Sequence, residues 1–342
     1  MISAEARAAG AELGLGAEYR GWLADLDRAG GGDAAGLPLT GADDAAVLER
    51  GGVTAPDAAT VLATQAGLDR SPALQWLLRR CRQVVVAGMG DPAAPRVALP
   101  PLPAALGAAG RCFPAHLFLA TWPVTLAWQR QRQIPAGVSW AIVADLGRQM
   151  EIYRDRYGET GVEEAWWLTL HLRGQIYEFG RLQYNLLRLG DGWLSPARWY
   201  PPAEARSRGP GFRPGDAAVG VHIPDGGPLT PAACAASLTA ARAFFDRCFP
   251  APARRLAICE SWLLDDQLAG YLPAGANIIA FQRRFTLTPG WDPGDKDVAQ
   301  FVFRREVAGL GSVPQRTTLQ RAILSHLRTG GHWRLRTGWL AL

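Results

Sequence analysis

Lysine is almost missing from this chain. Lys296 is the single lysine in 342 residues and every other basic residue is arginine. There is thus little choice for a catalytic lysine, and Lys296 follows Asp292-Pro293-Gly294-Asp295, which reads as a loop. Cysteine is also sparse. Cys81, Cys112, Cys234, Cys248 and Cys259 lie far apart with no Cys-x-x-Cys, which excludes a zinc knuckle and a disulfide scaffold. Their pattern predicts reduced, mostly buried thiols and a cytoplasmic protein. No apolar run approaches the roughly 18 residues of a membrane-spanning helix. The opening segment MISAEARAAGAELGLG has acids among its apolar residues and no basic start, so it does not read as a signal peptide. No basic run or recognition motif supports nucleic-acid binding, no His/Cys/carboxylate spacing suggests a metal, and there is no internal repeat.

What is present is enough for a packed core. Hydrophobic residues make up 48% and charged residues 20% of the chain. The net charge of +5 is unevenly placed, with the chain slightly acidic through Ala165 and strongly basic beyond. A basic second half suits an anionic partner such as a phosphorylated cofactor or an acidic carrier protein.

The first half reads as helical. A glycine cluster at Gly30-Gly31-Gly32 interrupts it early. Ser71-Pro72 is an N-cap and first-turn pair ahead of Leu74, Leu77, Leu78 and Cys81 on one face. Phe113 to Gln131 reads as a buried helix with Pro123 inside it, and Ser139 as the cap of a helix carrying Ile142, Leu146, Met150 and Tyr153. The second half mixes strands and helices. In Gly180–Leu189, Leu182, Tyr184 and Leu186 alternate with Arg181, Gln183 and Asn185, a strand with one wet face. Trp193–Gly215 reads as a long loop. Val219–Ile223, Leu256–Trp262, Ile278–Thr288, Gln300–Val307 and His332–Leu342 are predicted strands. Thr230–Phe249, Asp265–Leu272 and Thr317–Arg328 are predicted helices. These readings divide the chain into a helical domain, residues 1–162, and a mixed α/β domain, residues 163–342, of an α+β protein.

The stretch VHIPDGGPLTP carries the clearest chemical signal. A strand ends at His222, a Gly/Pro loop follows, and Thr230-Pro231 opens a helix. Glycines let the backbone approach a ligand, and a helix N-terminus offers N–H groups and a positive dipole end to a phosphate.

Together with WWLTLHLRGQIYEFGRLQYN, ESWLLDDQLAGYLP and NIIAFQRRFTL, this stretch resembles the actinobacterial two-domain acyltransferases, in which a helical N-terminal domain precedes a GNAT-like C-terminal domain. The resemblance implies an N-acyltransferase moving an acyl group from a thioester to an amine of a small molecule or peptide. It implies no permanently bound cofactor: the donor is an acyl-CoA or the acyl-phosphopantetheine of an acyl carrier protein. The chain departs from the family's usual Gln/Arg-x-x-Gly-x-Gly/Ala phosphate loop, having His222-Ile-Pro-Asp-Gly-Gly-Pro-Leu-Thr instead. The donor is therefore open between the two. A non-catalytic binding module that docks an acidic carrier or partner protein is the alternative.

In such a fold the strands ending at His222 and Glu260 splay around the thioester. His222 is a candidate base, against a histidine that only bonds its loop. Glu260 is a candidate base or orienting group, against a structural ion pair. The resemblance adds Tyr271, by position, as the group that protonates the departing thiolate; the alternative is a packing tyrosine. Gly226, Gly227, Leu229 and Thr230 are the expected donor-binding positions. Asp265 and Asp266 read as helix-capping acids, and Cys259 as a buried small hydrophobe rather than a nucleophile.

Overall fold

The computed structural model describes residues 2–29, 41, 43–190 and 200–342. The chain forms two compact units, Met1–Tyr177 and Glu178–Leu342. The glycine cluster at residues 30–32 and the first part of the expected loop, residues 193–199, lie outside the described residues.

The first unit is helical: α1 (Ala4–Glu12), α2 (Arg20–Arg28), α3 (Asp44–Arg50), α4 (Ala55–Arg70), α5 (Pro72–Ala87), α6 (Gly107–Gln131), α7 (Ala136–Ala141), α8 (Val143–Tyr157) and α9 (Ala165–Leu172). The Ser71 hydroxyl caps α5 by accepting from Leu74 N–H at 3.1 Å, with Pro72 in the first turn. Leu74, Leu77, Leu78, Cys81 and Val85 are all buried, so this helix forms where its cap and apolar spacing placed it. Helix α6 runs through Pro114 and Pro123 and buries Phe113, Leu117, Phe118 and Trp122. Ser139 is not a cap. It sits inside α7, its hydroxyl donating back to Pro135 O at 3.5 Å, because the helix already begins after Pro135. The expected domain boundary after Val162 differs from the observed division after Tyr177. The reason is α9, which packs on α5, α6 and α8 and so belongs with the helices. Arg173 extends this docking. Its guanidinium donates to Val84 O and Val85 O at the end of α5 and to Pro95 O in the segment beyond it, and burial lowers its pKa to about 10.

The second unit is built on a mixed six-stranded sheet: β1 (Ile176–Phe179), β2 (Leu182–Arg188), β3 (Ala217–His222), β4 (Leu256–Ser261), β5 (Thr286–Pro293) and β6 (Arg334–Ala341), in the order β1-β2-β3-β4-β6-β5. β3 and β4 pair in parallel; β2–β3, β4–β6 and β5–β6 are antiparallel. The helices of this unit are α10 (Pro202–Arg208), α11 (Pro231–Cys248), α12 (Asn277–Gln282), α13 (Asp295–Phe303) and α14 (Thr318–Arg328).

Four expected segments change type here. Ile278–Thr288 is not one strand: α12 takes the apolar Ile278–Phe281 run and β5 starts only at Thr286. A short apolar run is ambiguous by period, and packing of α12 on α11 decides it. Gln300–Val307 is not a strand either. Val298, Ala299, Val302 and Phe303 fall at helical spacing in α13, which Asp295 and Asp297 stabilise in its first turn. Lys296 therefore lies in that turn, exposed, rather than in a loop. Within the expected loop to Gly215, α10 forms on Pro202, and its Ala205 packs with Tyr200 and Phe212. The expected helix at Asp265–Leu272 is a 3-10 turn over Asp266–Gly270.

Candidate active site

Register assigns every side chain of β2, β3, β4 and β6 to one of two faces, because successive residues of a strand alternate. Tyr184, Leu186, Val219, Val221, Ala257 and Cys259 share the face covered by α11. There Tyr184 Oη and Ser237 Oγ of α11 are 2.8 Å apart, and the Phe179 ring lies 4.9 Å from that of Phe244. The opposite face is divided along its length. Its first half is apolar, with Leu187, Ala218, Leu256, Ile258 and Trp339 packed against Tyr200, Ala205 and Phe212. Its second half is polar: Gln183, Asn185, His222, Glu260 and Thr337.

His222 and Glu260 thus come to one face, at the C-terminal ends of two parallel neighbours. The β3–β4 register runs from Val219–Ala257 to Val221–Cys259 and goes no further, although β3 continues to His222 and β4 to Ser261. The two side chains stand just past the end of this ladder. Both are half-buried. The imidazole Nε2 lies 2.8 Å from Asn185 Oδ1.

The face expected to be wet is buried at this end. Gln183 and Asn185 are each 2% exposed. Gln183 donates to Glu178 Oε2 at 3.0 Å. Sequence alternation had located both side chains on one face but ranked neither. Polar residues inside a strand flanked by leucines were the available signal.

The loop after β3 keeps its predicted character. Asp225, Gly226, Gly227 and Pro228 are exposed, and Gly226 has φ 149°, which a side chain disfavours. Thr230 caps α11 by accepting from Ala233 N–H at 3.3 Å, with Pro231 next in line, and Leu229 is buried. Three arginines from separate segments brace this loop. Arg181, in the β1–β2 turn, donates to Pro224 O at 3.0 Å. Arg304 pairs with Asp225 at 3.0 Å. Arg284 donates to Pro231 O at 2.6 Å. Sequence reading placed Arg284 in a strand; it follows the end of α12, which aims it at the start of α11. Burial lowers the Arg181 pKa, with Cys234, Asp225 and Glu178 opposing. Guanidinium groups gathered at a helix N-terminus make this rim electropositive, which favours phosphate.

The other candidates fall elsewhere. The Tyr271 hydroxyl lies 3.0 Å from His326 Nδ1, and its ring packs on Trp333. After Ser261 the chain leaves the sheet through 3-10 turns, which carries Tyr271 to an exposed position beside His326 of α14. Asp265 caps its turn by accepting from Gln267 N–H at 3.1 Å and also accepts from Arg334 N–H. Burial, reinforced by the Glu260 charge, pushes the Cys259 thiol well up, so it is no thiolate nucleophile. His171 is buried against Asp145 at 3.1 Å in the helical unit, and His332 pairs with Asp295 at 2.7 Å. No group of three or more metal-ligating side chains occurs among the described residues. No described helix is long and apolar enough to cross a membrane.

A mixed sheet whose central parallel pair leads into a helix N-terminus, behind a helical unit in the sequence, is an architecture of the GNAT-like class. The family models agree: an N-acyltransferase N-terminal domain matches residues 42–174, and a GNAT-like C-terminal domain matches residues 176–340. The chain belongs to this two-domain acyltransferase family. It is 38% identical to the crystal structure of an acyltransferase in complex with decanoyl-CoA and teicoplanin, over 98% of this chain and 99% of that one, with a TM-score of 0.86. The same figures hold for an acyltransferase complex with CoA and 10C-teicoplanin. A mutant acyltransferase bound to octanoyl-CoA is 37% identical over 99% of both chains, again with a TM-score of 0.86. No curated protein matches the sequence.

Proposed function

We propose that this acyltransferase moves a medium-length acyl group from acyl-CoA to an amine on a bulky acceptor of the teicoplanin kind. The observation that carries the reading is the near-full-length likeness to acyltransferases that hold decanoyl-CoA and teicoplanin. The electropositive rim supports CoA over a carrier protein, because a nucleotide brings several phosphates and a carrier-bound pantetheine only one.

In this reading the β3–α11 loop, from Gly226 to Thr230, takes the phosphates. The thioester lies where the β3–β4 ladder ends. His222 removes a proton from the amine as its nitrogen bonds to the thioester carbonyl carbon. The C–S bond then breaks, and the CoA thiolate takes the proton held by the His222 imidazolium, directly or through water, and leaves as the thiol. Glu260, on the same face, stabilises the imidazolium that forms. The products are an amide and free CoA.

Mass spectrometry of amine acceptors incubated with acyl-CoAs of several chain lengths tests this. The expected result is a new amide with decanoyl- or octanoyl-CoA, and a loss of kcat/KM of about 100-fold or more in His222→Ala. Transfer only from an acylated carrier protein, or full activity in His222→Ala, overturns the donor or the base respectively.

A further inference from the structure

Two residues at the centre of the sheet are poor choices for a strand. Asn185 of β2 and Gly220 of β3 stand directly opposite each other. Asparagine and glycine are both depleted in strands, and each costs stability there. A buried amide costs more again unless its polar ends are satisfied. Here the two residues fit one another. A Cβ on Gly220 would lie 1.9 Å from Asn185 Oδ1. Glycine is therefore present for space, so that the Asn185 amide can lie across β3 toward His222.

The amide makes two hydrogen bonds that fix its orientation. Its Nδ2 end lies 3.2 Å from Leu186 O. A carbonyl oxygen only accepts, so the amide nitrogen belongs on that side. Oδ1 then faces His222 Nε2 at 2.8 Å and can only accept from it. That contact requires a proton on Nε2, and a neutral imidazole protonated there has its lone pair on Nδ1.

We propose that Asn185 is a positioning residue that holds His222 in the Nε2–H tautomer, making Nδ1 the nitrogen that accepts the amine proton. The proposal rests on the reading of His222 as the base. When Nδ1 takes the proton, the Nε2–H bond to Oδ1 becomes charge-assisted and strengthens, so Asn185 stabilises the imidazolium as it forms. Gly220 is the second half of the device, since any side chain there displaces the amide.

Nitrogen-15 NMR of histidine-labelled full-length protein, recorded above the imidazole titration, reads the tautomer directly. The wild type is expected to show a protonated Nε2 and an unprotonated Nδ1 at His222. In Asn185→Ala the signals move toward a mixture of tautomers, and kcat falls about 10- to 100-fold while KM for acyl-CoA changes by about twofold or less. Asn185→Asp, which keeps an acceptor oxygen, restores the Nε2–H signature. Gly220→Ala reproduces the Asn185→Ala result. A wild-type His222 with its lone pair on Nε2 overturns the proposal even if every variant fails to fold. So does an unchanged tautomer or an unchanged kcat in a folded Asn185→Ala. If His222→Ala stays fully active, the base assignment fails by itself, and the tautomer measurement still decides whether Asn185 orients the ring.

Discussion

The two faces of the C-terminal sheet are made from the same strands and differ in kind. Val219 and Val221 of β3 turn toward α11 and join an apolar interior with Ala257 and Cys259. Gly220 and His222, the alternating residues of the same strand, turn the other way, to the face that carries Asn185 and Glu260. On the first face nearly every contact is volume filling, and its chief polar link, Tyr184 to Ser237, is closed on itself. On the second, polar groups gather toward the end of the β3–β4 ladder, and His222 and Glu260 lie past it. The contrast shows how one strand carries both jobs: a period of two lets packing and chemistry be chosen independently, residue by residue.

The contrast breaks most sharply by exchanging the two demands on β3. Val221→Asn places an amide on the apolar face and should destabilise the protein by about 3 kcal/mol or more, seen as a lower urea midpoint. His222→Asn, one residue on, should leave that midpoint nearly unchanged while activity is lost. Equal destabilisation by both would mean that the two faces are not distinct.

A second contrast sets His222 against a histidine in the helical unit. His116 is 3% exposed, with Nε2 at 2.9 Å from the Thr64 hydroxyl, and burial pushes its pKa down to about 4. The folded state therefore keeps it neutral where the unfolded chain, with an ordinary value near 6.5, would protonate it. Its contribution is fully present above pH 6.5 and is lost as pH falls toward about 4, a difference of about 3 kcal/mol. Thermal melts of wild type and His116→Gln across that window should converge in slope only above it. Parallel curves throughout would remove His116 from the acid sensitivity.

Removing the Ser237 hydroxyl should sharpen the comparison at smaller scale. Ser237→Ala leaves the buried Tyr184 hydroxyl without its partner at a cost of about 1–3 kcal/mol, and kcat should not move. A fall in kcat without a fall in stability would tie the apolar face to catalysis.

The smallest effect is expected at the loop. Arg181→Ala and Arg284→Ala should each raise KM for acyl-CoA by about tenfold and leave kcat unchanged, with a smaller effect at high salt. An unchanged KM in both would separate these arginines from the donor.

Much of this was legible in the residues. Ser71-Pro72 and Thr230-Pro231 state their helix starts because capping is a local bond between a side chain and the next turn. The alternation in Leu182–Arg188 gave the strand and its two faces, and the Asp225–Pro228 loop was recognisable from glycine and proline alone. Other features were not. Ile278–Phe281 and Val298–Phe303 are short apolar runs whose type is decided by what they pack on. Arg284 bears on the loop only because α12 ends where it does. Asn185 looked like one more polar residue on an outward face, since nothing near it in sequence mentions Gly220 or His222.

The chain's own residues determined the capped helix starts, the free cysteines, the glycine-rich loop after β3 and the alternation that gives each strand its two faces. These follow from bonds and periodicities that span a few residues. Tertiary structure alone decided that the ladder stops before His222 and Glu260, that Tyr271 turns away to His326, and that an asparagine 37 positions from His222 bonds its ring. Those outcomes depend on which strands become neighbours and in what register, and register is settled by burying whole faces at once rather than by any local signal.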